Sequence, residues 1–266
     1  MKIQFRYLLA PILVMCITTP VTHVAAAEKS SLDGKSYTDP TTGTEFVFVK
    51  GGCYRMGDTF GDGYQNEKPV REVCVNDFYI GKFEVTQGQW KTVQGNNPSY
   101  FNKCGDNCPV EQVSWDDAQK FISRMNQLTG KTYRLLTEAE WEYAARSGGK
   151  NEKYAGTSND SELGDYAWYS DNSGNQTHPV GQKRPNGLGI YDMSGNVWEW
   201  VQDIYSETAY SSQNRNNPIY TGRGTNRVRR GGGWIRDMGS VRAANRNDGA
   251  PDYRSSGQGF RLGMTP

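Results

Sequence analysis

The stretch GGGWIRDMGSVRAANR, residues 231–246, gathers side chains suited to a site. The three leading glycines free the backbone, Trp234 supplies an indole, and Arg236, Arg242 and Arg246 supply guanidinium groups. No cysteine or histidine stands among them. Guanidinium groups bind carboxylates, stack on rings or bond the stray carbonyls of irregular loops, so residue type alone leaves a ligand site and a structural one both open. Trp234, Arg236, Arg246 and the following Tyr253 have the character of an anchor for a protein, peptide or glycan ligand. No catalytic residue is assigned from this stretch.

Other chemistries are limited by what the chain lacks. Its two histidines are His23 and His178. That excludes a histidine-rich iron or zinc centre and an HExxH site. A Ser-His-Asp triad would rest on His178, which between Thr177 and Pro179 reads as a loop residue. The glycines at 231–233 have neither the spacing nor the following lysine of a phosphate-cradling loop. Oxygen ligands are better represented. In NGLGIYDMSGNVWEW, residues 186–200, Asp192, Asn196 and Glu199 crowd a glycine turn. Calcium takes such oxygens together with carbonyls exposed by a sharp turn. An Asx turn leading into a core strand would use the same residues.

The elements that must position these groups are short. EFVFVKGGCYRMGD (45–58) reads as strand, turn and strand, and VREVCVNDFYIGKFEVT (70–86) repeats the pattern. Thr86 with Gln89 spells a capping box for a short helix carrying Trp90 and Val93. Ser114 caps a longer helix whose apolar positions Ala118, Phe121, Ile122, Met125 and Leu128 fall on one face before Gly130. Thr137 with Glu140 opens a third, with Gly148 as its terminator. Beyond residue 150 the helical signal gives way to turns, short strands, glycine and tryptophan. One α+β domain over 44–266 accounts for the pattern, behind a flexible leader at 28–43.

The 266 residues carry a formal net charge of +1 and are 35% hydrophobic. That is enough for a sizeable core and gives no reason to expect nucleic acid or an anionic membrane as partner. Residues 1–27 read as an export signal: Lys2 and Arg6 precede the apolar LLAPILVMCITTP, and Ala25, Ala26 and Ala27 offer a cleavage site. The apolar run is too short, and too broken by Pro11 and Pro20, for a transmembrane segment. Cys16 follows Met15, where a lipid-attachment site wants a small residue. The mature protein then starts near Glu28, periplasmic or secreted. Cys53, Cys74, Cys104 and Cys108 remain, an even number in an oxidising compartment, and are expected as structural disulfides. Three pairings are open. Cys104 with Cys108 can close locally, and Cys53 with Cys74 would then tie two early strands. A zinc site from such irregular thiolates without histidine is the poorer alternative.

The segments FVFVKGGCYRMGD, NDFYIGKFEVTQGQW, CPVEQVSWDDAQKF, YRLLTEAEWEYAAR, HPVGQKRPNGLGIYDMSGNVWEW, RVRRGGGWIRD and GFRL follow one another in that order. Together they resemble the formylglycine-generating enzyme (sulfatase-modifying factor) family over residues 44–264. The resemblance implies a C-type-lectin-like fold: an irregular α+β domain with two main helices, small twisted sheets and much ordered loop. It places a structural calcium at Asp192, Met193, Gly195 and Val197, partly through backbone carbonyls.

The family's name-giving members hold copper between two cysteines shortly after the motif that here reads GGGW. Arg236 stands at the first such position and Ser240 with Val241 in the region of the second, and no cysteine follows Cys108. Copper(I) needs soft thiolates, so no copper is expected. The iron-dependent sulfoxide synthases need a histidine cluster, so no iron is expected either. Relatives without the thiol pair include variable receptors of diversity-generating retroelements, periplasmic proteins of siderophore maturation and accessory envelope modules. The expectation is therefore an extracytoplasmic binding or accessory domain. An oxidoreductase with a non-thiol site, acting in protein or siderophore-type maturation, is the alternative.

Overall fold

The two strand–turn–strand patterns form as expected but are dealt out to different sheets. A computed structural model describes residues 1, 2, 4 and 36–266. The rest of the export segment at 1–27, and the leader up to residue 35, lie outside the described residues. In chain order the first half contains β1 (Tyr37–Thr38), β2 (Glu45–Val49), β3 (Gly52–Met56), β4 (Arg71–Val75), β5 (Phe78–Gly81), α1 (Gln87–Gln94), α2 (Trp115–Thr129), β6 (Tyr133–Leu135) and α3 (Glu138–Ala145). The second half contains α4 (Leu163–Tyr166), β7 (Trp198–Ile204), α5 (Ala209–Ser212), β8 (Arg227–Arg230), β9 (Asn247–Gly249), β10 (Gln258–Phe260) and β11 (Leu262–Met264).

One sheet has the order β1-β2-β5-β11-β6, with antiparallel neighbours. FYIG of β5 is buried at every residue because strands flank it on both sides. A second sheet has the order β10-β7-β8-β9, with β10 parallel to β7. β3 and β4 form a separate ribbon in which Cys53 faces Cys74 and the two are joined as a disulfide. Cys104 and Cys108 form the other disulfide, so the structural pairing holds at all four positions.

All three helix starts carry reciprocal caps. Thr86, Ser114 and Thr137 each accept a hydrogen bond from the backbone three residues on, where Gln89, Asp117 and Glu140 accept in return. Each such cap contributes about 1 kcal/mol. Ala118, Phe121, Ile122 and Met125 of α2 are buried as the spacing requires. Trp90 of α1 stacks on Phe121 at 5.2 Å, and both rings meet Phe260 of β10 edge-on. Leu128 departs from the expectation: it is exposed on the last turn of α2, past the end of the packed cluster. After α3 the chain leaves the helix at Arg146, and Gly148 donates to the carbonyl of Tyr143 with positive φ, as a terminator should.

Two further expectations are corrected. The leader is not flexible from residue 36 onward: β1 pairs with β2, and Asp39 is fully buried, accepting from the Tyr133 hydroxyl at 2.7 Å. Helix also persists beyond residue 150, but only as the single turns α4 and α5, too short to leave a periodic signal. Among the described residues no helix is long and apolar enough to cross a membrane.

Candidate functional site

β8 reads RVRR, and a strand sends successive side chains to opposite faces. Arg230 therefore enters the core while Arg229 points the other way. Inside, Arg230 pairs with Glu142 and lies 3.5 Å from Glu138. It also donates to the carbonyl of Ala244 at 2.8 Å. The glycine turn after β8 brings the next arginines to the same core. Gly232 has φ 73°, and a Cβ there would stand 2.6 Å from Val241, so only glycine lets 231–233 fold back on 240–241.

Arg246 then donates from Nε and Nη2 to the two oxygens of Glu138, at 2.6 and 2.8 Å. Arg242 makes the same two-pronged contact with Glu67, both bonds 2.8 Å. Arg146 donates to Glu142 at 2.9 Å and to the carbonyl of Gly57. All of these side chains are buried. Burial pushes the Glu138 carboxyl up, but the charges of Arg246 and Arg230 outweigh it and hold it below its usual value. Bidentate pairs of this kind offset the cost of burying charge because nearly every donor and acceptor has a partner, Arg230 Nε being an exception.

The anchor residues therefore divide. Arg246 is committed to Glu138, although it also borders a cleft. Trp234 is nearly buried, its Nε1 donates to the carbonyl of Ser256, and its ring meets Phe101 edge-on. Both belong to the framework. Arg236, Ile235 and Tyr253 are exposed. Arg236 lies beside a cleft of about 490 Å³, bordered also by Tyr64, Ser240, Asn245 and Asn247. Ser255 and Arg229 hydrogen-bond the Tyr253 hydroxyl and hold it below its usual pKa. His178 is a satisfied loop residue: its ring stacks on Trp168 at 3.8 Å and its Nε2 lies 2.7 Å from the carbonyl of Ser173.

The turn before β7 is built from left-handed residues, with φ 57° at Asp192, 85° at Gly195 and 54° at Asn196. At Gly195 a Cβ would meet the carbonyl of Trp168 at 2.1 Å. Asp192 Oδ2 accepts from the Gly181 N–H at 2.8 Å, while Oδ1 is buried with no hydrogen-bond partner. Burial raises the Asp192 carboxyl to about 6, opposed by the Gly181 N–H and Arg261. Glu84 is a neighbour that the sequence reading missed. It accepts from the Asn196 amide and the Val197 N–H, and burial, with Asp192 and Glu199 nearby, pushes its carboxyl well up. Glu199 is held by Arg261 and by Trp141 Nε1 at 2.7 Å. Met193 and Val197 are buried, Met193 with its side chain in the apolar core. Three buried carboxylates thus share one guanidinium here. No three His, Cys, Asp or Glu side chains among the described residues converge as a metal cluster, so a cation here would draw on main-chain carbonyls as well.

Reasoning from sequence also missed Tyr64, Asn245 and Asn247 at the cleft, because nothing local marks them as neighbours of residue 236. Comparison with known proteins agrees with this architecture. A chaperone protein LppX from Paenibacillus barcinonensis is 34% identical over 76% of this chain and 82% of its own length. A formylglycine-generating enzyme from Streptomyces coelicolor is 29% identical over 81% and 87%. The solved structure of Treponema denticola variable protein 1 superposes with a TM-score of 0.75 at 30% identity, covering 87% of this chain and 99% of that one. The sulfatase-modifying factor enzyme 1-like domain matches residues 33–265. In sequence and in fold, this chain belongs to the sulfatase-modifying factor, or formylglycine-generating enzyme, family.

Proposed function

We propose that this chain is an extracytoplasmic ligand-binding or accessory domain with a structural calcium ion. One observation carries the reading. The deep side of 231–246 is consumed by Arg–Glu pairs, while its outer side presents Ile235 and Arg236 to solvent beside a polar cleft. A base of paired charges under exposed, chemically varied side chains is the arrangement of a recognition surface. The similarity to a protein named as a chaperone supports a binding role, and the two disulfides support an oxidising compartment.

The cation-binding turn fits calcium. Asp192 Oδ1 is an oxygen ligand without a protein donor, and the buried carboxylates around it favour a divalent cation. Asp192, with the carbonyls of Met193, Gly195 and Val197, would hold the ion, which would supply rigidity and neutralise charge. Copper does not fit the cleft. Arg236 and Ser240 are not soft donors, and the described cysteines are paired in disulfides.

Elemental mass spectrometry of the purified mature protein tests the reading. Calcium alone is the expected result. Stoichiometric copper, iron or manganese would overturn it in favour of the oxidoreductase alternative. The mass of the exported protein tests the location, with an N-terminus near Glu28 expected.

A further inference from the structure

Four neighbouring arginines, Arg229, Arg230, Arg242 and Arg246, are at most 9% exposed, and three of them have a buried glutamate opposite. Arg229 does not. Its Nε and Nη2 donate to Asn247 Oδ1 at 3.1 and 2.9 Å, and its Nη1 donates to Gln258 Oε1 at 3.3 Å. The guanidinium lies 5.3 Å from the Trp198 ring and 5.2 Å from the Tyr253 ring. A buried cation held by amides, ring faces and the Tyr253 hydroxyl keeps its charge without an ion-pair partner. Arg236, close enough to oppose that charge, is exposed and also makes no ion pair among the described residues. The local acids act on the two arginines from beyond contact distance. Asp248 attracts Arg229 while accepting from Asn226, Asp237 attracts Arg236 while accepting from the Ser240 N–H, and Glu207 borders the same cleft, but among the described residues none of the three forms an ion pair with Arg229 or Arg236.

The remaining border has a second character. Gln65, Asn245, Asn247 and Ser240 offer amide and hydroxyl groups, Tyr64 offers an exposed ring, and no aliphatic side chain contributes. Asn247 spends its Oδ1 on Arg229 and on the Asp248 N–H, while its amide nitrogen makes no protein hydrogen bond among the described residues. Amides both donate and accept, as hydroxyl-dense sugars require, and a tyrosine face receives the apolar side of a sugar ring. An extended peptide would instead want pockets for alternate side chains.

Resting on the binding reading above, we propose that this cleft takes an acidic oligosaccharide, its carboxylate seated toward Arg236 and Arg229 and its ring against Tyr64. Guanidinium forks match carboxylate geometry, and Arg229, behind the Asn247 that borders the cleft, adds a second positive charge.

Calorimetric titration of the mature protein with trigalacturonate, its methyl ester and triglutamate tests the idea. Trigalacturonate is expected to bind. The methyl ester should bind about ten-fold more weakly or worse, since it loses a charge-assisted contact. Arg236→Gln should weaken the acid by a similar factor and flatten its salt dependence. Tyr64→Ala should weaken binding and leave the salt dependence in place. Both side chains are exposed, so an unchanged melting temperature will show that the fold survives. Equal binding of acid and ester, binding of triglutamate as tight as trigalacturonate, or binding of none of them overturns the proposal. With calcium as the protein's only metal, such a failure leaves the broader binding reading standing. A stoichiometric redox metal would end both.

Discussion

Arg246 and Arg236 stand ten residues apart in one glycine-rich segment, and they have opposite fates. Arg246 is buried on Glu138 with both prongs engaged, whereas Arg236 reaches solvent with no acid opposite. The difference lies in what the rest of the chain brings to each. Helix α3 supplies Glu138 and Glu142 to the inner face, and the turn before β4 supplies Glu67, whereas among the described residues no carboxylate pairs with Arg236 on the outer face. A paired arginine is framework, and an unpaired one is available. Arg229 shows an intermediate case, buried like the first and unpaired like the second. Glu111 is its mirror image: a buried carboxylate whose Oε1 accepts from the Phe101 N–H at 2.8 Å and whose Oε2 has no partner.

Breaking the inner pairs should have the largest effect. Glu138→Ala leaves Arg246 buried without its partner and should cost about 3–5 kcal/mol, read as a lowered denaturant midpoint. A variant melting like the parent would mean that Arg246 is not committed to the framework. Next comes the turn at Asp192, proposed above to hold calcium. Chelation should destabilise the protein by about 3 kcal/mol if the ion is normally present at a hundred times its dissociation constant, and Asp192→Ala should abolish that sensitivity. No change in melting temperature on chelation would remove calcium from the account.

Glu111 should give a smaller effect with a definite sign. Burial raises its carboxyl to about 7, outweighing the main-chain N–H groups that lower it. Between the unfolded value near 4.5 and about 7, the folded state holds the proton more tightly. Stability is therefore full below the unfolded pKa and falls as pH rises through that window. Glu111→Gln keeps the acceptor for Phe101 and should recover on the order of 1–2 kcal/mol at pH 8, and little at pH 4, after allowance for solvent screening. Parallel pH–stability curves for parent and variant would contradict this. The smallest effect on stability belongs to Arg236→Gln, within about 0.5 kcal/mol, because no partner is lost. A large loss would place Arg236 in the framework with Arg246.

Much of the scaffold was legible because its signals are local. The capping pairs Thr86 with Gln89 and Thr137 with Glu140, and the apolar stripe of α2, depend on residues three or four apart and formed as read. Leu128 obeyed the same spacing and is nonetheless exposed, since periodicity gives a face but not where the neighbouring body ends. Asp39 and β1 were read as leader because a two-residue strand has no period, and the pairing that orders it comes from β2.

By itself, then, the sequence determined the family, the helix starts, the use of four cysteines in disulfides though not which pairs with which, and the turn at Asp192. All of these rest on neighbours in the chain or on composition. Tertiary structure alone decided which arginines are spent. Arg242 meets Glu67 across 175 positions, Arg246 meets Glu138 across 108, and Asn196 meets Glu84 across 112. Whether a guanidinium is framework or binding group depends on burying one particular carboxylate beside it, and only the folded chain makes that choice.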